Sequence, residues 1–264
     1  MGIVDTLIIV INIMKPHLDP TLHHKTQNKR GFMHPLTKIA QDFILFSQQE
    51  SPTIDMGCAY GNTVIAALDA GAKEIIACDM EQAHLDMLAE QLDASQRQKV
   101  TLKQGVLPHG FDFAPESIAG IHASLVLPYL SVQELDECLD KFYRWLKPGG
   151  KLFILGYSIF IKEFVNPYFE AEYKKRCAEG PKWPGLLEDF SQYSYTDGVR
   201  NELDVATLPA ALHFFDIDIF VPALQQLGFV IEFAEYLDGP SNGALADTWH
   251  DGRELVGIVA RRPS

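Results

Sequence analysis

Apolar strand patterns alternate with helix patterns along the chain between residues 53 and 158. The strand patterns are TIDMG, EIIACDM, KVTLKQG, SIAGIHASLVL and KLFILGYS, and the helix patterns include NTVIAALDAG, EQAHLDMLAEQLD and SVQELDECLDKFYRWL. Parallel strands need long crossover connections, and helices usually supply them. The alternation therefore predicts an α/β fold with a mostly parallel, doubly wound sheet and helices on both faces.

Two segments lie outside this alternation. Residues 1–50 are expected to be an N-terminal arm with a leading helix at 34–49, where apolar residues recur at helical spacing. Residues 159–212 form an insertion after the fifth strand that is rich in aromatic residues and is interrupted by prolines, including Pro181 and Pro184. We expect this insertion to be a mobile lid over a pocket, although a rigid cap that only enlarges the core fits the same composition.

The last part of the chain, residues 213–264, resumes the α/β pattern. A helix pattern and the strand pattern FVIEFAEYL precede a last strand pattern, ELVGIVARR, and the loop before that strand is too short to hold a crossover helix. The last strand is therefore expected to be antiparallel. We predict that residues 51–158 and 213–264 together form one ligand-binding domain.

The composition limits the classes of partner. The 264 residues are 47% hydrophobic, and the net charge of −13 argues against DNA or long RNA as a partner. The four cysteines have no metal-like spacing, and His17, His23 and His24 lie in the arm without nearby acids, so no metal site is expected. Reduced cysteines indicate a cytoplasmic protein. The apolar start, VDTLIIVINIMK, is shorter than the roughly 20 residues that span a bilayer, so no membrane contact is expected.

The stretch TIDMGCAYGN places an acid, Asp55, and a glycine-flanked turn between a strand and a helix. Ligands of open α/β sheets bind beyond the carboxyl ends of the strands, where Gly57 and Gly61 would let the backbone pass close to them. Asp79 ends the second strand, where an acid can accept both hydroxyls of a ribose. The dinucleotide fingerprint with three glycines fails, because Ala59 and Asn62 occupy two of its positions.

The same stretch resembles the first motif of class I S-adenosylmethionine-dependent methyltransferases, which is an acid–x–Gly–x–Gly/Ala–x–Gly pattern running here from Asp55 to Gly61. ACDM, with Asp79, looks like the second motif, and LVLPYLSVQELDECLDKFYRWLKPGGKLFILGYS is similar to the family's fourth-strand loop, helix and Pro-Gly-Gly turn. The resemblance covers about residues 50–158 and 214–262. It implies a seven-stranded sheet with the last strand beside the fifth, and S-adenosylmethionine as the cofactor.

The resemblance also implies a set of cofactor-binding residues: Asp55, Gly57, Cys58, Ala59, Gly61, Asp79, Met80, Gly105, Val106 and Ser124. Asp55 would lie near the amino group of the cofactor or cap the N–H groups of its own loop. Val106 stands where the family usually carries an acid for the adenine amino group, so backbone groups of Gly105 and Val106, with Met80 packing on one face, are expected to meet the ring. ASLVLPY lacks the Asn/Asp-Pro-Pro-Tyr pattern of relatives that methylate bases, which counts against base methylation of nucleic acids.

The function that the resemblance implies is in-line methyl transfer to an oxygen or nitrogen of a small-molecule substrate. His213 is a candidate base, and a loop histidine is an equal reading of it; Tyr129 would line the methyl-transfer channel or only pack. His122 lies within the fourth strand pattern and is expected to be a core histidine. Two alternatives stay open: a non-catalytic protein that binds S-adenosylmethionine or a nucleoside, and a nicotinamide-dependent oxidoreductase. The sequence does not specify the substrate or the oligomeric state.

Overall fold

A computed structural model of the chain describes residues 24–25, 32–33, 35–161, 167–180, 182–188, 211–239 and 251–264. Its first elements are β1 (His24–Lys25), β2 (Phe32–Met33), α1 (Lys38–Gln49), β3 (Thr53–Met56), α2 (Asn62–Asp69), β4 (Ile75–Asp79), α3 (Gln82–Gln91), α4 (Ala94–Arg97), β5 (Val100–Gln104), β6 (Ile118–Ser124), α5 (Val132–Trp145) and β7 (Leu146–Tyr157). The others are α6 (Pro167–Glu179), β8 (Leu186–Leu187), β9 (Leu212–His213), α7 (Ile217–Gln226), β10 (Val230–Leu237) and β11 (Leu255–Arg261).

Seven of the strands form one sheet in the order β10-β11-β7-β6-β3-β4-β5. β3 to β7 pair in parallel, whereas β11 is antiparallel to both β7 and β10. The predicted seven-stranded, mostly parallel sheet, with an antiparallel last strand beside the fifth, is confirmed. The carboxyl ends of the five parallel strands meet at one edge of the sheet, and the residues there are Met56, Asp79, Gln104, Ser124 and Tyr157.

Helices cover both faces of the sheet, as the alternation of elements predicts. Successive residues of a strand point to opposite faces, and the buried apolar residues divide accordingly. One face packs against α5 and α7 through residues such as Leu139, Phe142, Phe220 and Leu224. The other face packs against α1, α2, α3 and α6 through residues such as Phe43, Val64, Leu88 and Phe169. The central strands are thus buried on both sides, and the carboxyl edge of the sheet is where a ligand can approach.

Two helix starts show which local signals decide element boundaries. Helix α5 has a capping box, because Ser131 Oγ accepts from Glu134 N at 3.3 Å and Glu134 Oε2 accepts from Ser131 N at 2.9 Å. Helix α1 begins at Lys38 rather than at residue 34, because the hydroxyl of Thr37 caps it by accepting from Ala40 N at 3.3 Å. The predicted start was therefore wrong by one turn, at a residue whose hydroxyl is a good capping group.

The Pro-Gly-Gly segment after α5 was predicted to be a turn, but it belongs to β7. Gly149 N donates to Arg262 O at 3.0 Å, and Arg262 N donates to Gly150 O at 2.9 Å. The residue just after the antiparallel strand β11 therefore pairs with this segment, in which Gly149 has a φ of 80°. The sequence showed the glycines but not the strand that pairs with them.

The described part of the insertion packs onto the domain. Phe169 and Tyr173 of α6 are buried, and Tyr173 Oη donates to Asp216 Oδ2 at 2.5 Å. Trp183 Nε1 donates to Asp136 Oδ1 of α5 at 2.8 Å, and β8 pairs with β9 in antiparallel fashion. Residues 162–166, 181 and 189–210 lie outside the described residues, as does most of the N-terminal arm, and the lid stays a prediction.

None of the described helices has the length and the apolar content that crossing a membrane requires.

Candidate cofactor and acceptor site

The loop that joins β3 to α2 alternates between ordinary and left-handed backbone. Gly57, Ala59 and Gly61 have φ values of 76°, 46° and 84°. The loop bends back over the end of β4, because Gly57 N and Cys58 N donate to Cys78 O at 2.8 and 2.9 Å. The three positions of the Gly–x–Gly/Ala–x–Gly pattern are thus the three that need positive φ, and Ala59 is the one that bears a side chain there.

The two glycines of the loop also make room for neighbouring protein atoms. A Cβ at Gly61 would lie 2.3 Å from Leu88 Cδ1 in α3, and a Cβ at Gly57 would lie 3.1 Å from Val126 Cβ. Packing and backbone conformation therefore account for both glycines before any ligand is considered. The expectation that they let the backbone approach a ligand stays a prediction. Between them, burial raises the pKa of the Cys58 thiol well above its ordinary value, so Cys58 is a neutral packing group.

Asp79 ends β4 and holds the loop in place. Its side chain is buried, and its Oδ2 accepts from Ala59 N at 2.9 Å. Its Oδ1 accepts from Glu81 N at 2.9 Å and lies 3.1 Å from His84 Nδ1. The carboxylate thus links the glycine-flanked loop to the start of α3, and among the described residues one acceptor position of Oδ2 is left for a ligand.

Large apolar side chains are exposed around Asp79, where a globular domain normally buries them. Met80 follows β4 and is 48% exposed, and Val106 follows β5 and is 57% exposed. Gly105 lies between the two strand ends, where its N–H donates to Asp79 O at 3.0 Å. A flat apolar ring bound between Met80 and Val106 would lie directly beside the acid. Ser124 ends β6 at the same edge and is half-buried.

Asp55 is paired with a histidine of the neighbouring strand, and its expected place near the amino group of the cofactor stays a prediction. It is 3% exposed, and its Oδ1 lies 2.7 Å from Nδ1 of His122, its register partner on β6. Among the described residues it accepts no hydrogen bond from its own loop. Phe43 of α1 stacks on the His122 ring, with 5.0 Å between centroids. The first-motif acid is thus paired with the histidine that was expected in the core, under the leading helix.

Tyr129 lies in the short 3₁₀ turn Leu127–Tyr129 that follows β6, at the same edge of the sheet. Its side chain is 39% exposed, and its hydroxyl shares a hydrogen bond with the hydroxyl of Tyr157 at the end of β7. Burial raises the pKa of the Tyr157 hydroxyl, which therefore stays a donor. Sequence reasoning missed Tyr157, although its place as the last residue of a parallel strand was a usable signal.

His213 lies on β9, paired with Leu186 of the insertion, and is 1% exposed. Burial lowers its pKa to about 4, although the nearby backbone oxygens of Leu130 and Trp183 oppose the shift. Neither ring nitrogen makes a hydrogen bond with the described residues. Strand β9 packs against the turn that carries Tyr129, so the structure brings the two candidate catalytic elements together. His213 is not a loop histidine but a buried, neutral one.

A second missed residue is His84, which lies one turn into α3 and contacts the Asp79 carboxylate. Tyr60 of the loop meets the His84 ring edge-on, with 5.0 Å between centroids. One weak signal for it was present in the sequence, namely a histidine on the apolar face of the helix that follows the acid.

Comparison with known proteins relates the first part of the sheet domain to methyltransferases. A family model described as a methyltransferase domain matches residues 54–150. The ribosomal protein L11 methyltransferase of Photobacterium profundum is 28% identical over 163 residues, which are 61% of this chain and 51% of that protein. The tRNA N(3)-methylcytidine methyltransferase Mettl2 of Drosophila melanogaster is 25% identical over 115 residues, which are 42% of this chain and 35% of that protein. The chain thus spans about half or less of the length of these two relatives.

A solved structure agrees with the sheet topology. The crystal structure of an S-adenosylmethionine dependent methyltransferase from Mesorhizobium loti matches with a TM-score of 0.56 at 16% identity, and the match covers 84% of this chain and 96% of that chain. At this identity the match establishes the fold, and the family model locates the methyltransferase domain within it. Residues 54–150 thus match a methyltransferase domain, and the chain has the Rossmann-like fold of solved S-adenosylmethionine-dependent methyltransferases.

Proposed function

We propose that this chain binds S-adenosylmethionine at the carboxyl edge of its sheet and catalyses methyl transfer to an oxygen or nitrogen atom of a small-molecule substrate. The observation that carries the proposal is the combination found around Asp79. A buried carboxylate with acceptor capacity left lies beside two exposed apolar side chains, Met80 and Val106, and behind a loop with three positive φ values. An adenosine needs these features together: an acceptor for its ribose and an apolar surface for its base.

The described residues fit the cofactor without rearrangement of the sheet. Asp79 would accept a ribose hydroxyl, Met80 and Val106 would cover the base, and the loop from Gly57 to Gly61 would border the rest of the cofactor. When bound, S-adenosylmethionine supplies an activated methyl group, so the chain's own task is to orient the acceptor and to exclude water.

The acceptor side of the site combines an apolar wall with one neutral base. His213 is uncharged at neutral pH because burial lowers its pKa to about 4, and a neutral imidazole has a lone pair for the proton of a hydroxyl or an amine. Tyr129, whose hydroxyl is hydrogen-bonded to that of Tyr157, would orient the acceptor atom. Trp183 lies edge-on to the His213 ring, with 5.9 Å between centroids, and limits access of water to it.

A small acceptor is favoured by charge. The net charge of −13 opposes the approach of a phosphate backbone, although one of the two relatives is named for a tRNA substrate and the other for a ribosomal protein. Tyr129 and the buried, neutral His213 line this side with uncharged groups, which suits a small acceptor without a formal charge. The experiment must therefore distinguish a small-molecule substrate from a peptide or an RNA.

The test has two stages. Calorimetric titration with S-adenosylhomocysteine and with NADH comes first, and we expect binding of the former only. Turnover of methyl-labelled S-adenosylmethionine is then measured with three acceptor panels: small phenols and amines, peptides, and RNA. Label transfer to the first panel alone supports the proposal. Transfer to peptides or RNA overturns the substrate class, and binding without transfer to any panel overturns catalysis in favour of a binding protein.

A further inference from the structure

His84 and Asp79 form a buried polar pair at the candidate cofactor site. Nδ1 of His84 lies 3.1 Å from Asp79 Oδ1, and the two side chains are 9% and 8% exposed. A carboxylate can only accept a hydrogen bond, so we assign the proton to Nδ1. The ring is therefore a donor aimed at one particular oxygen of the acid.

The surroundings of His84 fix its orientation. The ring belongs to α3, where His84 N donates to Glu81 O at 3.1 Å, and it meets the Tyr60 ring at an interplanar angle of 87°. Gln91, also on α3, donates through its side-chain amide to Tyr60 O at 3.1 Å. Nε2 of His84 is buried and has no hydrogen-bond partner among the described residues, which leaves Nδ1 as the nitrogen that makes the polar contact. Helix and loop thus hold the imidazole from two sides.

The hydrogen bonds of Asp79 can be counted. A carboxylate offers about four acceptor positions, two on each oxygen. Both positions of Oδ1 are filled, by Glu81 N at 2.9 Å and by His84 Nδ1, and Ala59 N fills one position of Oδ2 at 2.9 Å. Among the described residues, one acceptor position of Oδ2 is left unfilled. The expectation that Asp79 accepts both hydroxyls of a ribose stays a prediction.

We propose that His84 is a positioning residue for the cofactor: its Nδ1–H occupies Oδ1 of Asp79, fixes the plane of the carboxylate and keeps Oδ2 directed at the ribose hydroxyls. This inference rests on the proposed function, because it takes the ligand to be an adenosine with a ribose. His84 itself touches the acid and not the ligand. Loss of the His84 side chain should therefore weaken the binding of ligands that carry the ribose hydroxyls. It should leave the contacts to the base and to the methionine part of the ligand unchanged.

The first experiment compares two variants with two ligands. His84→Phe keeps a ring but removes the donor, whereas His84→Asn keeps an N–H near the position of Nδ1. By calorimetry, we expect His84→Phe to weaken S-adenosylhomocysteine about threefold to thirtyfold, the range for losing one hydrogen bond near a charged group. The same variant should bind 2′,3′-dideoxy-S-adenosylhomocysteine within about twofold of the wild type. His84→Asn should recover most of the lost affinity for the parent ligand.

The outcomes distinguish a failure of the proposed function from a failure of the role of His84. A wild type that does not bind S-adenosylhomocysteine overturns the proposed function. A wild type that binds, with His84→Phe either unchanged or weakened equally for both ligands, overturns the role of His84 alone. The second experiment needs no variant and so does not depend on folding of His84→Phe. Wild-type affinity should fall about tenfold or more when both ribose hydroxyls are removed in the 2′,3′-dideoxy ligand, and an unchanged affinity overturns ribose recognition by Asp79, on which the role of His84 depends.

Discussion

Asp55 and His122 are register partners on neighbouring parallel strands, and their side chains meet at 2.7 Å between Oδ1 and Nδ1 in the centre of the sheet. Both are almost fully buried, and Phe43 stacks on the imidazole with an interplanar angle of 19°. The acid that begins the glycine-flanked loop thus depends on a donor 67 residues away. The leading helix α1 covers the pair and shields it from water.

We expect His122→Phe to lower the free energy of unfolding by about 2–4 kcal/mol, because the Asp55 carboxyl would stay buried without its donor. The phenyl ring keeps the stacking on Phe43, so the loss reports the hydrogen bond rather than the ring. Urea unfolding followed by circular dichroism measures it. The matched control is the double variant Asp55→Leu/His122→Phe, in which no buried polar group is left and much of the stability should return. A double variant no more stable than His122→Phe would contradict this account.

Ala59 adopts φ of 46°, a left-handed conformation that a Cβ disfavours. We expect Ala59→Gly to raise the free energy of unfolding by about 0.5–1 kcal/mol, after allowance for the greater freedom of glycine in the unfolded chain. The bond from Ala59 N to Asp79 Oδ2 is unaffected by this change. Gly57→Ala is the opposite control, since φ is 76° there and Val126 Cβ lies 3.1 Å from the added atom, and it should destabilise. An Ala59→Gly variant that is less stable than the wild type would show that the side chain contributes packing that outweighs the strain.

The sheet could be predicted from the sequence because its signals are local. Strand and helix periods, the Ser131–Glu134 capping box and the Asp216 cap, which accepts from Asp218 N at 2.9 Å, all lie within a few residues of one another. The position of Asp79 at the edge of the sheet follows equally from its place at the end of a strand.

The polar pairs of the site could not be predicted, because each depends on how distant elements meet. Asp55 meets His122 only through the register of β3 and β6. The hydrogen bond between Tyr157 and Tyr129 forms only because the end of β7 lies beside the 3₁₀ turn that follows β6. His84 reaches Asp79 only once the direction of α3 is set. Burial decides the state of His213, and no local signal distinguishes a buried strand histidine from a loop histidine.

The buried His213 makes stability depend on pH. Its pKa is about 4 in the folded chain and near 6.5 in the unfolded chain. Between these values the unfolded chain binds a proton that the folded chain does not, so the folded state loses stability as pH falls from about 6.5 to 4. Above about pH 7.5 the effect is absent, and at pH 5 it is about 2 kcal/mol.

His213→Phe should remove that part of the decline. Chemical unfolding of both proteins at pH 7.5 and pH 5 measures the difference, and the wild type should lose about 2 kcal/mol more than the variant. Both proteins contain the same other histidines and carboxylates, so the difference between their two losses of unfolding free energy reports His213 alone. Parallel declines in the two proteins would mean that His213 is protonated in the folded state.

Asp79 is expected to contribute to binding and to stability together. Asp79→Ala should weaken S-adenosylmethionine by about 1–3 kcal/mol, the loss of charge-assisted hydrogen bonds. The same change leaves Ala59 N and Glu81 N without their acceptor, so the unfolding free energy should also fall. Calorimetry and urea unfolding measure the two effects. Asp86→Ala, at an exposed position of α3, is the control that should change neither, and unaltered affinity in Asp79→Ala would remove this acid from the site.

The contacts of α6 predict how it responds to ligand. Phe169 and Tyr173 are buried against the domain, and the Tyr173 hydroxyl donates to the Asp216 carboxylate at 2.5 Å. We therefore expect slow amide exchange in α6 both with and without S-adenosylhomocysteine, as for a fixed cap. Tyr173→Phe removes the bond to Asp216 and should speed exchange in α6 while leaving α5 unchanged. If exchange in wild-type α6 is fast and slows when the ligand binds, the helix moves with the predicted lid, and its buried contacts must open during each cycle.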